Sequence, residues 1–228
     1  MQHAIFARLD SRLRKATLSR RARCAGIATF GFLGLALAFG TAASAQTMAA
    51  LPSTSQPLDK SGTAKPVPAW TKFCERQPAE CAVDASEPAS IALTPDLWRT
   101  IVGVNRRINA RIKPMTDEAQ WGIVDRWDFP DEGVGDCEDY QLLKRKTLVE
   151  RGIPRRALRM TVVIDEQNEG HAVLMVRTDR GDFILDNKTS TVLPWAQTGY
   201  VFVKREGQDS LAWVSLNGVK SPTTTANR

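Results

Sequence analysis

Apolar residues recur at helical spacing through Leu97, Ile101, Val104, Ile108 and Ile112, behind Thr94-Pro95-Asp96 and ahead of Pro114. That pattern predicts a helix with a capped start and a proline stop. A second helix is predicted over Cys137–Arg151, with Asp136 as N-cap and Asp139 completing an imperfect capping box. Tyr140, Leu143 and Leu148 would face inward, and Gly152 followed by Pro154 would end the helix. Beyond it the period becomes strand-like. Leu158–Asp165, Gly170–Arg177 and Asp182–Asn187 read as three strands separated by the turns Glu166–Glu169 and Thr178–Gly181, which makes them antiparallel neighbours. Tyr200–Lys204 and Leu211–Ser215 are expected to add two edge strands. Helices first and an antiparallel sheet second make an α+β chain.

The first 45 residues follow a different logic. An arginine-rich stretch ends at Arg23, a 17-residue apolar run spans Cys24–Gly40, and Ala43-Ser44-Ala45 follows. Charge, apolar helix and small-x-small site in that order are the needs of a cleaved export signal; a retained anchor is the rival reading. The exported product would reside in the periplasm and meet the membrane only during export. Residues 46–68, rich in Pro, Ser, Thr and Ala, read as a flexible linker, 69–217 as the folded domain and 218–228 as a mobile tail.

Composition supports one ordinary core: 228 residues, 43% hydrophobic and 25% charged. The net charge of +6 invites a nucleic-acid reading, but seven of the 31 bases lie in residues 1–45 beside a single acid, Asp10. The remaining 24 bases and 24 acids balance, so no nucleic-acid partner is expected.

The exported part holds three cysteines and one histidine. Cys74 and Cys81, separated by a proline-bearing gap, can pair in an oxidising compartment; a zinc site and free thiols are the rival readings. Cys137 lies at the predicted first turn of a helix, where unsatisfied N–H groups and the dipole favour a thiolate and an oxyanion. Asp136, Glu138 and Asp139 work against that thiolate unless they point away as caps or hold a cation, for which calcium suits hard oxygen ligands. His171 heads the second strand and Asp186 ends the third, so nucleophile, base and orienter are predicted as Cys137, His171 and Asp186. The Trp121–Glu132 loop is a candidate wall of the substrate groove.

Gly135-Asp136-Cys137-Glu138-Asp139-Tyr140, Glu169-Gly170-His171-Ala172-Val173-Leu174 and Leu185-Asp186-Asn187 together resemble the bacterial transglutaminase-like cysteine peptidases. So do Val104–Asn109, Trp121-Gly122 with Asp125 and Trp127, Val192–Trp195, and Phe73-Cys74 with Cys81. The likeness covers roughly residues 70–215. It implies a papain-like, transglutaminase-type α+β fold and a Cys137-His171-Asp186 triad. Its LapG-like branch further implies calcium at Asp136, Glu138 and Asp139, a large surface adhesin as substrate in biofilm control, and a membrane cyclic di-GMP receptor as inhibitor. A transglutaminase or amidase using the same triad, and a non-catalytic binding module, are the alternatives.

Overall fold

The computed structural model describes residues 50–221. The expected export signal, positions 46–49 of the expected linker and positions 222–228 of the expected tail lie outside them. Among the described residues no helix is long and apolar enough to cross a membrane.

The order of elements is strand β1 (Gly62–Ala64), helices α1 (Pro68–Arg76), α2 (Pro78–Cys81) and α3 (Pro95–Arg111), strand β2 (Lys113–Pro114), helix α4 (Asp117–Trp121), strand β3 (Val134–Gly135) and helix α5 (Cys137–Val149). Strands β4 (Leu158–Ile164), β5 (Gly170–Thr178), β6 (Gly181–Leu185), β7 (Leu193–Pro194), β8 (Val201–Glu206) and β9 (Trp213–Lys220) complete it. The large sheet runs β1-β9-β8-β4-β5-β6-β7 with every pair antiparallel. The predicted α+β class holds.

Sequence and structure agree where the apolar period is long. The Thr94 hydroxyl accepts from Leu97 N at 3.2 Å and starts α3, whose Ile101, Val104 and Ile108 are buried. Alternation along β5 divides the core by faces: Leu174 and Val176 join the helix-side cluster, and Val173 and Met175 the cluster on the other face. Between the helices and the sheet, α5 is buried on most sides and so carries polar residues inward. Arg145 Nη1 donates to both Glu206 oxygens at 2.8 Å, while Trp70 Nε1 and Met160 N donate to the same carboxylate at 2.6 and 3.0 Å. That satisfied carboxylate ties α1, α5, β4 and β8 together.

Two sequence expectations fail. The last two strands are not both edges: β8 lies inside the sheet between β4 and β9, and β1 covers β9. The supposed linker, from residue 50 on, is a bound strap. Ser55 N donates to Arg180 O at 2.8 Å, Trp195 Nε1 to Gln56 O at 2.7 Å, and Leu58 N to Asp182 Oδ2 at 2.8 Å. Leu58 is buried among Trp195, Tyr200 and Phe202. This strap is held largely through its main chain, which is why its polar composition hid it. Gly181, at φ +103°, lets it pass, since a Cβ there would meet Ser55 O at 2.5 Å. The expected tail is likewise strand as far as Lys220, paired with Val201.

Candidate active site

The parallel pair β2–β3 joins the end of α3 to the start of α5. Met115 N donates to Gly135 O at 2.9 Å, and Tyr140 Oη donates to Ile112 O at 2.7 Å. These ties place α4 beside the first turn of α5, and with it Asp117 beside Asp136. Asp136 precedes α5 as expected but makes no side-chain cap bond; its Oδ2 instead accepts from Asp117 N at 3.2 Å. The capping box is therefore not formed. Asp139 folds back over Gly135, where a Cβ would lie 2.7 Å from Asp139 Oδ2, and its Oδ1 accepts from Asp128 N at 2.9 Å. Only glycine leaves room for that carboxylate.

The acids beside Cys137 form two overlapping groups joined through Asp117. One is Asp117, Asp125 and Glu138; the other is Asp117, Asp136 and Asp139, each with ligand oxygens within 4.8 Å of one another. The three acids named from the sequence are thus divided between the groups, and Asp117 and Asp125 complete them. Buried Asp117 Oδ1 and Asp136 Oδ1 have no hydrogen-bond partner. Burial, then the Asp136 charge, pushes Glu138 up to about 9; burial, opposed by the Asp128 N–H, pushes Asp139 up to about 8. Crowded, desolvated oxygens with unused lone pairs suit a hard divalent cation.

Cys137 is half-buried and unpaired, at the first position of α5. Its sulfur accepts from Ala172 N at 3.4 Å, which sets it against the start of β5, and its thiol donates to Glu138 Oε2 at 3.0 Å. Burial first, then the Glu138 charge and hydrogen bond, push the thiol well up, with the Ala172 N–H opposing. The helix start alone therefore does not yield the expected thiolate. Burial, Glu138 and, less strongly, Asp136 outweigh it as they stand.

His171, next to Ala172, is buried, and its Nε2 lies 2.9 Å from Asp186 Oδ1. Asp186 follows β6 by one residue, and the β5–β6 register pairs Leu174 with Leu185, which brings His171 and Asp186 to the same end of adjacent strands. Asp186 Oδ1 also accepts from Lys188 N at 3.0 Å, and Oδ2 from Tyr200 Oη at 2.5 Å. Burial raises the Asp186 carboxyl, but the His171 bond and charge and the Tyr200 hydroxyl outweigh it and hold the group below its ordinary range. The Tyr200 ring packs edge-on to the imidazole at 5.8 Å. Tyr200 carries no local sequence signal; only the sheet order reveals it.

Cys74 and Cys81, on α1 and α2, are bridged with Cα atoms 5.6 Å apart, so they supply neither nucleophile nor zinc ligand.

Residues 59–221 match the family described as bacterial transglutaminase-like cysteine proteinase, BTLCP. Among solved structures, Legionella pneumophila LapG aligns at 29% identity over 48% of this chain and 64% of that one, with a TM-score of 0.43. Its EGTA-treated form gives 29%, 48%, 62% and 0.43. The calcium-bound form gives 22% identity, 67% of this chain, 92% of that one and 0.44. The chain spans less than two thirds of the first two. No curated protein matches it.

Proposed function

Because this chain belongs to the bacterial transglutaminase-like cysteine proteinase family, we propose that it is an exported, periplasmic endopeptidase working through Cys137, His171 and Asp186. The observation that carries the assignment is the buried His171–Asp186 pair at the strand end whose next N–H touches the Cys137 sulfur. Asp186 holds Nε2 and leaves Nδ1 to take the thiol proton. The sulfur attacks a peptide carbonyl, His171 returns the proton to the departing amine, and water hydrolyses the thioester. The first-turn N–H groups of α5 would stabilise the oxyanion.

Asp117, Asp125, Asp136, Glu138 and Asp139 would hold calcium, and the bound ion would supply positive charge beside the sulfur. With Glu138 so engaged, the thiol loses the acceptor that now competes with the imidazole. A large surface adhesin is the proposed substrate and a membrane cyclic di-GMP receptor the proposed inhibitor, both from the sequence resemblance.

The test is cleavage of a peptide mixture in calcium. Cys137→Ala should abolish it with the melting temperature preserved, and a variant that still cuts at the wild-type rate would refute the triad. Alkylation of Cys137 should be faster in calcium than in chelator. Equal labelling and equal melting temperature in the two would count against the ion site.

A further inference from the structure

One shallow cavity of about 220 Å³ is lined by Ala69, Lys72, Arg76, Ile123, Asp125 and Arg126. It lies between one face of α1, which contributes positions 69, 72 and 76, and the loop that follows α4. It adjoins the sulfur: Asp125 and Glu138 have carboxylate oxygens within 4.8 Å, and Glu138 Oε2 is 3.0 Å from Cys137. At about 3.3 Å per residue, an extended substrate leaving the scissile carbonyl reaches this cavity within about two to four residues.

Cations outnumber acids in its lining. Three of the six lining residues are cations and one is an acid, the exposed Asp125, which accepts from Trp127 Nε1 at 3.1 Å and lies beside Asp117 and Glu138. Arg126 is braced over the Trp121 ring at 4.5 Å and shares Asp128 with Arg76, at 3.0 and 3.7 Å, so both arginines are held in place and Lys72 is the cation outside that pairing. Apolar surface borders the cations: Ile123 is 48% and Val124 88% exposed. Cations beside an apolar wall fit a side chain with a methylene stem and an anionic tip.

We infer that this groove is a substrate subsite selecting an acidic side chain, glutamate above all, about two to four residues from the scissile bond. The inference rests on the peptidase reading for its substrate but is tested separately from it.

The first experiment digests a proteome-derived peptide mixture with the calcium-supplemented full chain and reads the cut sites by mass spectrometry. Glutamate and aspartate should be enriched at one position in that window. For matched peptides kcat/KM should favour glutamate over glutamine roughly threefold to fivefold, the worth of a partly exposed ion pair. Lys72→Glu should cancel the preference, and Lys72→Arg should keep it. Cleavage with no acidic preference overturns the subsite and leaves the peptidase standing. The second experiment needs no turnover: an acetylated alanine hexapeptide bearing one glutamate, and its glutamine twin, are titrated into Cys137→Ala while tryptophan fluorescence is followed. Threefold tighter binding of the glutamate peptide, lost in Lys72→Glu, supports the groove. Equal binding overturns it whether or not the wild type cuts peptides.

Discussion

Replacing Tyr200 with Phe removes one oxygen and keeps the ring that lies edge-on to His171. Tyr200 and Asp186 are 4% and 2% exposed, so water cannot replace the lost donor. Asp186 Oδ1 retains His171 Nε2 and Lys188 N, while Oδ2 loses the hydroxyl at 2.5 Å. A hydrogen bond to a buried charged group is worth about 1.5–3 kcal/mol. Expressed fully in the barrier, that is about a 10- to 150-fold fall in kcat/KM. The same loss should appear in urea unfolding, measured in a Cys137→Ala background so that the thiol does not interfere. The pH dependence follows from Asp186, whose carboxyl lies below its ordinary range because His171 and Tyr200 outweigh burial. A depressed carboxylate contributes stability that is complete above the unfolded value near pH 4 and is lost as pH falls through the folded one. In Tyr200→Phe the folded value moves back towards the ordinary one, so the acid loss due to Asp186 should be smaller and complete at higher pH. A variant with wild-type turnover, unfolding free energy and acid limb would refute the reasoning.

Three further outcomes are expected. Glu138 and Asp139 are raised to about 9 and 8, so between roughly pH 4 and those values the folded state binds protons the unfolded chain does not. Chelator-treated protein should therefore melt at lower temperature at pH 8 than at pH 5.5, with the slope flattened by calcium; a flat profile in chelator would contradict this. Gly135→Ala should displace Asp139, costing about 1–3 kcal/mol by overpacking and weakening the calcium-induced rise in Tm, as differential scanning fluorimetry will show. Lys144, buried with no hydrogen-bond partner for Nζ, is pushed down to about 7 by burial, with Asp186 opposing. Its burial penalty is relieved as pH rises from about 7 towards 10, so Lys144→Met should raise the Tm at pH 7 and remove that alkaline gain.

The legible parts of the chain were those whose cause is local. The helix through Ile101 and Ile108 announces itself by spacing, and the hairpin that brings His171 to Asp186 by its one short turn at Thr178–Gly181. Cys137 stood out because a thiol at a helix start is chemically odd. Asp117 and Asp125 were missed as members of the acid cluster because nothing near them in sequence points to Glu138; a two-residue strand pair brings them there. Leu58 was misplaced with a linker because its anchor is backbone bonding to a hairpin more than a hundred residues away. Asp136 reads as a cap in sequence, but its Oδ2 accepts from the Asp117 main-chain N–H instead of a first-turn N–H of α5. Local chemistry could be read directly; long-range pairing through short strands could not.

The pairing of Gly62–Ala64 with Trp213–Ser215 has a consequence for how the molecule comes into being. The earliest strand of the described body finds its partner only when the latest one has been made. A chain delivered N-terminus first must wait with that segment open until Trp213–Ser215 has emerged, so truncation before Trp213 should leave an unfinished sheet with a bare border, open to proteases and to self-association.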